Sequence, residues 1–177
     1  MEFLFEKKLR KSIRFWLLFF MVSLILSGIT AFPIETELEW FSHHSSFLPE
    51  YMQKWLNTIY TAVKETNLKN PQLAYGTDWL AFSHIVIAVA FIGPLIDPVK
   101  NSWIFIFGMI ACGMVIPLAF ICGPIRSIPF YWTFIDCSFG IIGFFPLWIC
   151  YQKVKKIELI NSTKIQGRII NINKEEK

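Results

Sequence analysis

The chain alternates long apolar runs with short polar breaks. Four runs stand out: Phe15–Phe32, Trp79–Ile96, Ser102–Ile125 and Ser127–Tyr151. A helix rises about 1.5 Å per residue, so about 20 residues cross a hydrocarbon layer about 30 Å thick. The runs reach or approach that length, and only the last holds a charge inside it, Asp136. The pattern predicts an all-α membrane protein with four transmembrane helices. The links Asp97-Pro98-Val99-Lys100-Asn101 and Gly123–Pro129 are short, so runs two to four should be antiparallel neighbours. Asp97 before Pro98 has the form of a helix start, with Asp as N-cap and Pro at the first helical position.

The segment 33–78 differs from the runs. It carries Glu35, Glu37 and Glu39, then Trp40-Phe41 and the pair His43-His44. After Pro49, Met52, Trp55, Ile59, Ala62 and Val63 recur at helical spacing with polar residues between them. That is an amphipathic helix of about 16 residues, too short and too polar to cross a membrane. It predicts a cap over one end of the bundle. The chain then divides into a basic tail (1–14), a transmembrane domain (15–151) that includes this cap, and a second basic tail (152–177) expected to be partly disordered.

Charge sets the orientation. The net charge of +4 does not point to nucleic acid, because the basic residues flank the runs, as expected for topology and for anionic lipid headgroups. Counted by alternate compartments, thirteen Lys and Arg fall on the side of the two termini and four on the other. Both termini are therefore expected in the cytoplasm and 33–78 outside. Trp16, Trp79, Trp103, Trp132 and Trp148 fall near run ends, where an indole favours the headgroup zone. The small-residue pattern at Ser27–Ala31 is a poor cleavage site, so the first run reads as a retained span. Cys112, Cys122, Cys137 and Cys150 lie in or at the ends of runs, without a CxxC, and read as small packing residues.

Small residues also mark helix contacts. Asp136, Gly140 and Gly143 share one face of the fourth run, and Gly108, Ala111, Cys112 and Ala119 form a stripe on the third. Pro117 and Pro146 lie inside runs, freeing the carbonyls of Gly113 and Ile142; packing kinks are the expected result.

Four ionisable residues gather towards the outer end on this topology: Asp78, His84, Arg126 and Asp136. Counting helical rise puts His84 and Asp136 at matching depth, roughly 10 Å below the outer boundary. A carboxylate in hydrocarbon requires a partner, and His84 or Arg126 would serve. Three bland readings stand beside this one: a pair that pins helices together, His84 donating to a backbone carbonyl, and Asp78 as the N-cap of the second run. No Walker, GxSxG, HExxH or Rossmann pattern is present, and His84 is the one histidine within a run, where a b-type haem would want two. A metal held by His43, His44 and Glu39 is disfavoured, because adjacent histidines diverge on a helix. No cofactor and no metal are expected. The expected partners are the lipid bilayer and a membrane protein or second copy of the chain, with no nucleic acid.

Thr77-Asp78-Trp79-Leu80-Ala81-Phe82-Ser83-His84, Asp97-Pro98 with Asn101, Gly123-Pro124-Ile125-Arg126 and Ile135-Asp136-Cys137-Ser138-Phe139-Gly140 together resemble a family of small bacterial multi-pass membrane proteins of no known activity. The resemblance covers Tyr75–Tyr151, under half of the chain. It implies a bacterial inner-membrane location and no mechanism. The leading expectation is a non-enzymatic membrane component that binds a lipid, small ligand or partner protein at those four residues. The alternatives are a transport or proton-handling subunit working as an oligomer, and a membrane enzyme with His84 as base and Asp136 as its orienter.

Overall fold

The computed structural model describes the backbone of residues 2–175 and the side chains of residues 4–167. It is helical throughout, with no strand among the described residues. Among the described residues seven α-helices follow one another: α1 (Glu2–Ala31), α2 (Ile34–His44), α3 (Glu50–Lys69), α4 (Ala74–Ala90), α5 (Ile92–Ile96), α6 (Ser102–Ile125) and α7 (Phe130–Glu175). Four helical stretches are long and apolar enough to cross a membrane: Leu4–Ala31, Pro71–Ile96, Ser102–Ile125 and Phe130–Gly167. The chain forms two compact units, one built from residues up to Met21 and from Ala90 onwards, the other from Val22–Val89.

In the first unit α7 is the spine. It packs against α6 along a seam of small residues, antiparallel. A Cβ on Gly140 would lie 2.5 Å from the Cys112 carbonyl oxygen, and one on Gly108 would lie 2.6 Å from Leu147 Cδ1 and 2.9 Å from Phe91 Cζ. At the far end a Cβ on Gly123 would meet Thr133 Oγ1 at 3.2 Å. At Gly140 the neighbour is backbone, so only glycine allows that approach, whereas at Gly108 and Gly123 the neighbours are side chains. Cys112 and Gly108 thus belong to the seam, whereas Ala111, expected on the same stripe, is exposed.

α1 lies along a neighbouring face of α7, also antiparallel, and Gly143 abuts both α6 and α1. Leu9, Ile13, Leu17 and Phe20 recur at i, i+4, i+8 and i+11 and are buried, as are Cys150, Val154 and Ile157 on α7. The Cys150 thiol donates to the Ile13 carbonyl at 3.5 Å, the Lys153 ammonium donates to the Ser12 hydroxyl, and Lys164 reaches Glu6 at 3.3 Å. Phe20 meets Phe91 edge to face, with ring centroids 4.9 Å apart. These contacts explain a difference from expectation. Residues 2–14 are the first turns of α1, and α7 runs unbroken from the apolar run to Glu175 where a partly disordered tail was expected; residues 176 and 177 lie outside the described part. The basic residues hid an apolar stripe on each segment, and each stripe buries the other. With 46 residues, α7 is about 69 Å long, over twice the thickness of a hydrocarbon layer.

Two further differences follow from local chemistry. The expected continuous run 79–96 is divided between α4 and α5, because Pro94 has no N–H for the Ala90 carbonyl and its ring crowds that carbonyl. Asp97 does not cap α6. Its Oδ1 accepts from the N–H groups of Val99 and Lys100 at 3.2 and 3.3 Å, closing a turn, and α6 starts after Asn101. The Asn101 amide donates to the carbonyls of Gly93 and Asp97 at 3.1 and 2.9 Å, tying the start of α6 to α5. Pro117 and Pro146 lie inside unbroken helices.

The second unit holds the α2–α3 hairpin. α3 occupies the region where a helix was expected, and α2 was not foreseen. Its Glu35 and Glu37 lie in the first turn, where negative charge suits the helix dipole, and His43 and His44 lie in the last. The two helices run antiparallel through a polar ladder: Ser42 donates to Asn57 Oδ1, Tyr60 to Glu39 Oε1 at 2.8 Å, and Asn67 to Glu35 Oε2 at 2.7 Å. Lys64 donates to the Tyr60 hydroxyl at 2.9 Å, and that contact, with Glu39 and Glu35 nearby, holds its ammonium above the ordinary lysine range. Leu56 is the buried residue of α3, with Met52, Trp55, Ile59 and Val63 half-buried beside it and Ala62 exposed. In the same unit, a Cβ on Gly28 of α1 would lie 2.7 Å from the Ala81 carbonyl oxygen of α4, a second close glycine contact.

The seam predicts a contrast between two glycines. Gly140→Ala should cost about 1–3 kcal/mol, since a methyl group there meets backbone. Gly113→Ala, with nothing within 4 Å of its Cβ, should be neutral or stabilising by up to about 1 kcal/mol. Thermal melts of the purified variants in detergent measure both.

Candidate functional site

The four residues singled out in the sequence are divided between the units, Arg126 and Asp136 in the first and Asp78 and His84 in the second. Asp136 lies in the second turn of α7 and is half-buried. It shares its face with Gly140, which abuts the Cys112 carbonyl, and Gly143, whose Cβ would meet Cys112 Sγ at 3.1 Å and Phe20 at 3.6 Å. Both neighbours on that stripe face α6 or α1, so Asp136 belongs to a packed side of its helix. Within its own unit, no hydrogen bond or ion pair reaches its carboxylate among the described residues.

Arg126 does not supply that partner. It is exposed at the end of α6 and makes no ion pair with Asp136. Its position is set by the way α6 stops. The Ile128 N–H donates to the Gly123 carbonyl at 2.9 Å and the Ser127 N–H to the Pro124 carbonyl at 3.2 Å, a Schellman arrangement. That arrangement needs a left-handed residue after the last turn, and Ser127 takes the role at φ 55°. Glycine usually fills the position, because a Cβ there crowds the backbone.

In the second unit, Asp78 is not the N-cap of its helix. α4 begins at Ala74, which puts Asp78 in the second turn, half-buried. His84 is half-buried where α1 approaches α4, with its Cβ 3.1 Å from the position a Gly28 Cβ would take. Its Nδ1 lies 2.8 Å from the Leu80 carbonyl oxygen. A carbonyl can only accept, so Nδ1 carries the proton and Nε2 of the neutral ring is an acceptor. Asp78 and His84 are six residues apart, which turns them onto different faces of α4. Neither pair within a unit is therefore in contact.

The histidines of α2 are engaged locally. His43 and His44 donate from Nδ1 to the carbonyls of Glu39 and Trp40 at 2.7 and 2.8 Å, and the His44 ring stacks on Trp40 with centroids 4.7 Å apart. The Glu39 carboxylate accepts from Tyr60. Among the described residues, no group of three His, Cys, Asp or Glu could hold a metal.

Sequence reasoning passed over one feature. Glu6, Lys7, Arg10, Lys11 and Arg14 line a surface cavity of about 580 Å³ in the first unit. The signal was present in the spacing: 7, 10, 11 and 14 are i, i+3, i+4 and i+7, one helical face. From sequence these charges point to orientation and to a general attraction for anionic lipid headgroups, not to a defined site. A second concavity, about 470 Å³, lies on α3 between Asn57 and Glu65.

No protein-family model, curated protein or solved structure matches the chain.

Replacing Ser127 with Gly should remove the left-handed strain and raise stability by about 1 kcal/mol. A thermal melt of Ser127→Gly beside the unmodified chain measures it.

Proposed function

We propose that the chain is an integral membrane protein of the bacterial inner membrane with four spans, both termini in the cytoplasm and 33–78 outside. On this reading the half-buried row of α3 makes it an amphipathic cap at the outer surface. The protein acts as a non-enzymatic membrane component. It binds a lipid, small ligand or partner protein through its outer polar residues, Asp136 foremost, with Asp78, His84 and Arg126.

The observation that supports this most is the condition of Asp136. A carboxylate in the apolar part of a membrane helix costs at least about 2.5 kcal/mol on the most lenient scale. The cost is tolerated where the group meets a partner, and its own unit supplies none among the described residues. Packing alone would be served by an alanine. A cationic or hydrogen-bonding group on a bound molecule or neighbouring chain meets the need. Arg126, exposed and held at the turn by the Schellman arrangement, is available to the same partner.

Two measurements test the reading. Reporter fusions should be cytoplasmic at both termini and extracytoplasmic within 33–78; a C-terminus outside contradicts the topology. Asp136→Asn and Arg126→Gln should insert and melt as the unmodified chain does, yet weaken the complex seen by native mass spectrometry roughly thirtyfold or more. Loss of folding in both, with no separate binding defect, means that these residues only hold helices together.

A further inference from the structure

The cavity at the start of α1 has an unusual electrostatic composition. Lys7, Lys11 and Arg14 are exposed and make no ion pair among the described residues. Arg10 bonds to Glu6 at 3.0 Å, and Lys164 of α7 bonds to the same carboxylate at 3.3 Å. Glu6 is thus shared by two cations and cannot neutralise the remaining three.

Like charges three and four residues apart on a helix repel and destabilise it. This face is nevertheless held rigid. The opposite face of the same turns, Leu9, Ile13 and Leu17, is buried against α7, and Lys153 donates to Ser12 at its edge. A free tail could spread its charges apart, whereas this paired helix keeps them around one concavity. The cavity therefore gathers donors, including the fork of Arg14, with a single carboxylate, Glu6, among them.

Position selects the kind of anion. Arg14 directly precedes the first apolar run, and Lys7 lies about 10 Å further out along the helix axis. On the topology proposed above, that interval coincides with the inner headgroup layer and the first water beyond it. Basic clusters immediately cytoplasmic of a span attract anionic headgroups.

We propose that Lys7, Arg10, Lys11 and Arg14 form a binding site for a phosphate group, supplied by the headgroup of an anionic phospholipid of the inner leaflet. The site is distinct from the outer polar residues. It rests on the membrane reading only for the source of the phosphate.

The test uses the full chain in a neutral detergent, titrated with phosphatidylglycerol and, separately, with phosphatidylcholine, and read by native mass spectrometry. Phosphatidylglycerol should bind and phosphatidylcholine should not. Each basic residue near an anionic surface strengthens binding roughly fivefold, so Lys7→Gln, Lys11→Gln and Arg14→Gln together should weaken it about a hundredfold. Lys7→Arg, Lys11→Arg and Arg14→Lys together should retain it. As a control in an acidic segment, Lys54→Gln with Lys69→Gln should change nothing. In the unmodified chain, binding should fall steeply with salt, a measurement that needs no variant.

Millimolar inorganic phosphate distinguishes the sources. If it leaves the lipid bound, the headgroup is the ligand. If it binds alone and displaces the lipid, the same site serves a soluble phosphate compound. Equal binding of the two lipids, insensitivity to salt, or full binding by the triple Gln variant overturns the proposal. A chain released from membranes by alkaline carbonate without detergent defeats the membrane reading instead, and the two failures are told apart in this way.

Discussion

The close approach of α7 to α6 is the contact on which the first unit depends. On the proposed membrane reading, apolar helices surrounded by lipid gain no hydrophobic free energy by touching one another, so their association depends on shape. Gly140 against the Cys112 carbonyl and Gly108 against Leu147 and Phe91 provide that shape. The seam fixes the register of the two helices. It also seats Phe91, fully buried at the break between α4 and α5, where Phe20 of α1 meets it. Once α7 is placed, a neighbouring face receives α1, through Ile13 and Leu17 near the apolar run and Leu9 and Ile157 beyond it. A spine longer than a bilayer is thick thereby carries order from the apolar region into the basic end.

What could be read from residues alone follows from the range of the forces concerned. The four apolar runs were legible because hydropathy is a local property, and α3 because its periodicity is local too. α2 was missed because its signals, three glutamates before a histidine pair, are electrostatic and weak. The break at Pro94 was in plain sight but lay within a strongly apolar run that reads as continuous. Asp97-Pro98 carried two meanings, helix start and turn, and the turn prevailed because Asn101 bonds back to Gly93. The terminal helices were mistaken for tails because Leu9, Ile13, Val154 and Ile157 are diluted by lysines and arginines. Each stripe becomes stable only against the other, which is information about two distant segments.

The candidate residues divide in the same manner. An aspartate inside an apolar run is conspicuous in any sequence, and Asp136 was found for that reason. Its suggested pairing with Arg126 was not realised, since rotation about helix axes and the geometry of a turn decide which side chains meet. Ser127, which sets that turn with a left-handed conformation more usual for glycine, gave no warning in the sequence. The basic face of α1 was visible as spacing but not as a site, because the spacing acquires meaning only when the opposite face is pinned.

The two units differ in electrostatic character. Acidic and neutral polar groups order the α2–α3 hairpin, while cations outnumber carboxylates around the first turns of α1. The pairing of α1 with α7 turns the second of these from a flexible charge cloud into a surface. The most direct measurement of that pairing is cross-linking in intact membranes. With the native cysteines replaced by alanine, Ser12→Cys and Lys153→Cys should be joined within one chain by a short bifunctional thiol reagent. Ser12→Cys with Lys164→Cys, about 16 Å further along α7, should be joined far less. Equal yields for the two pairs, or none for either in correctly inserted protein, would contradict the account.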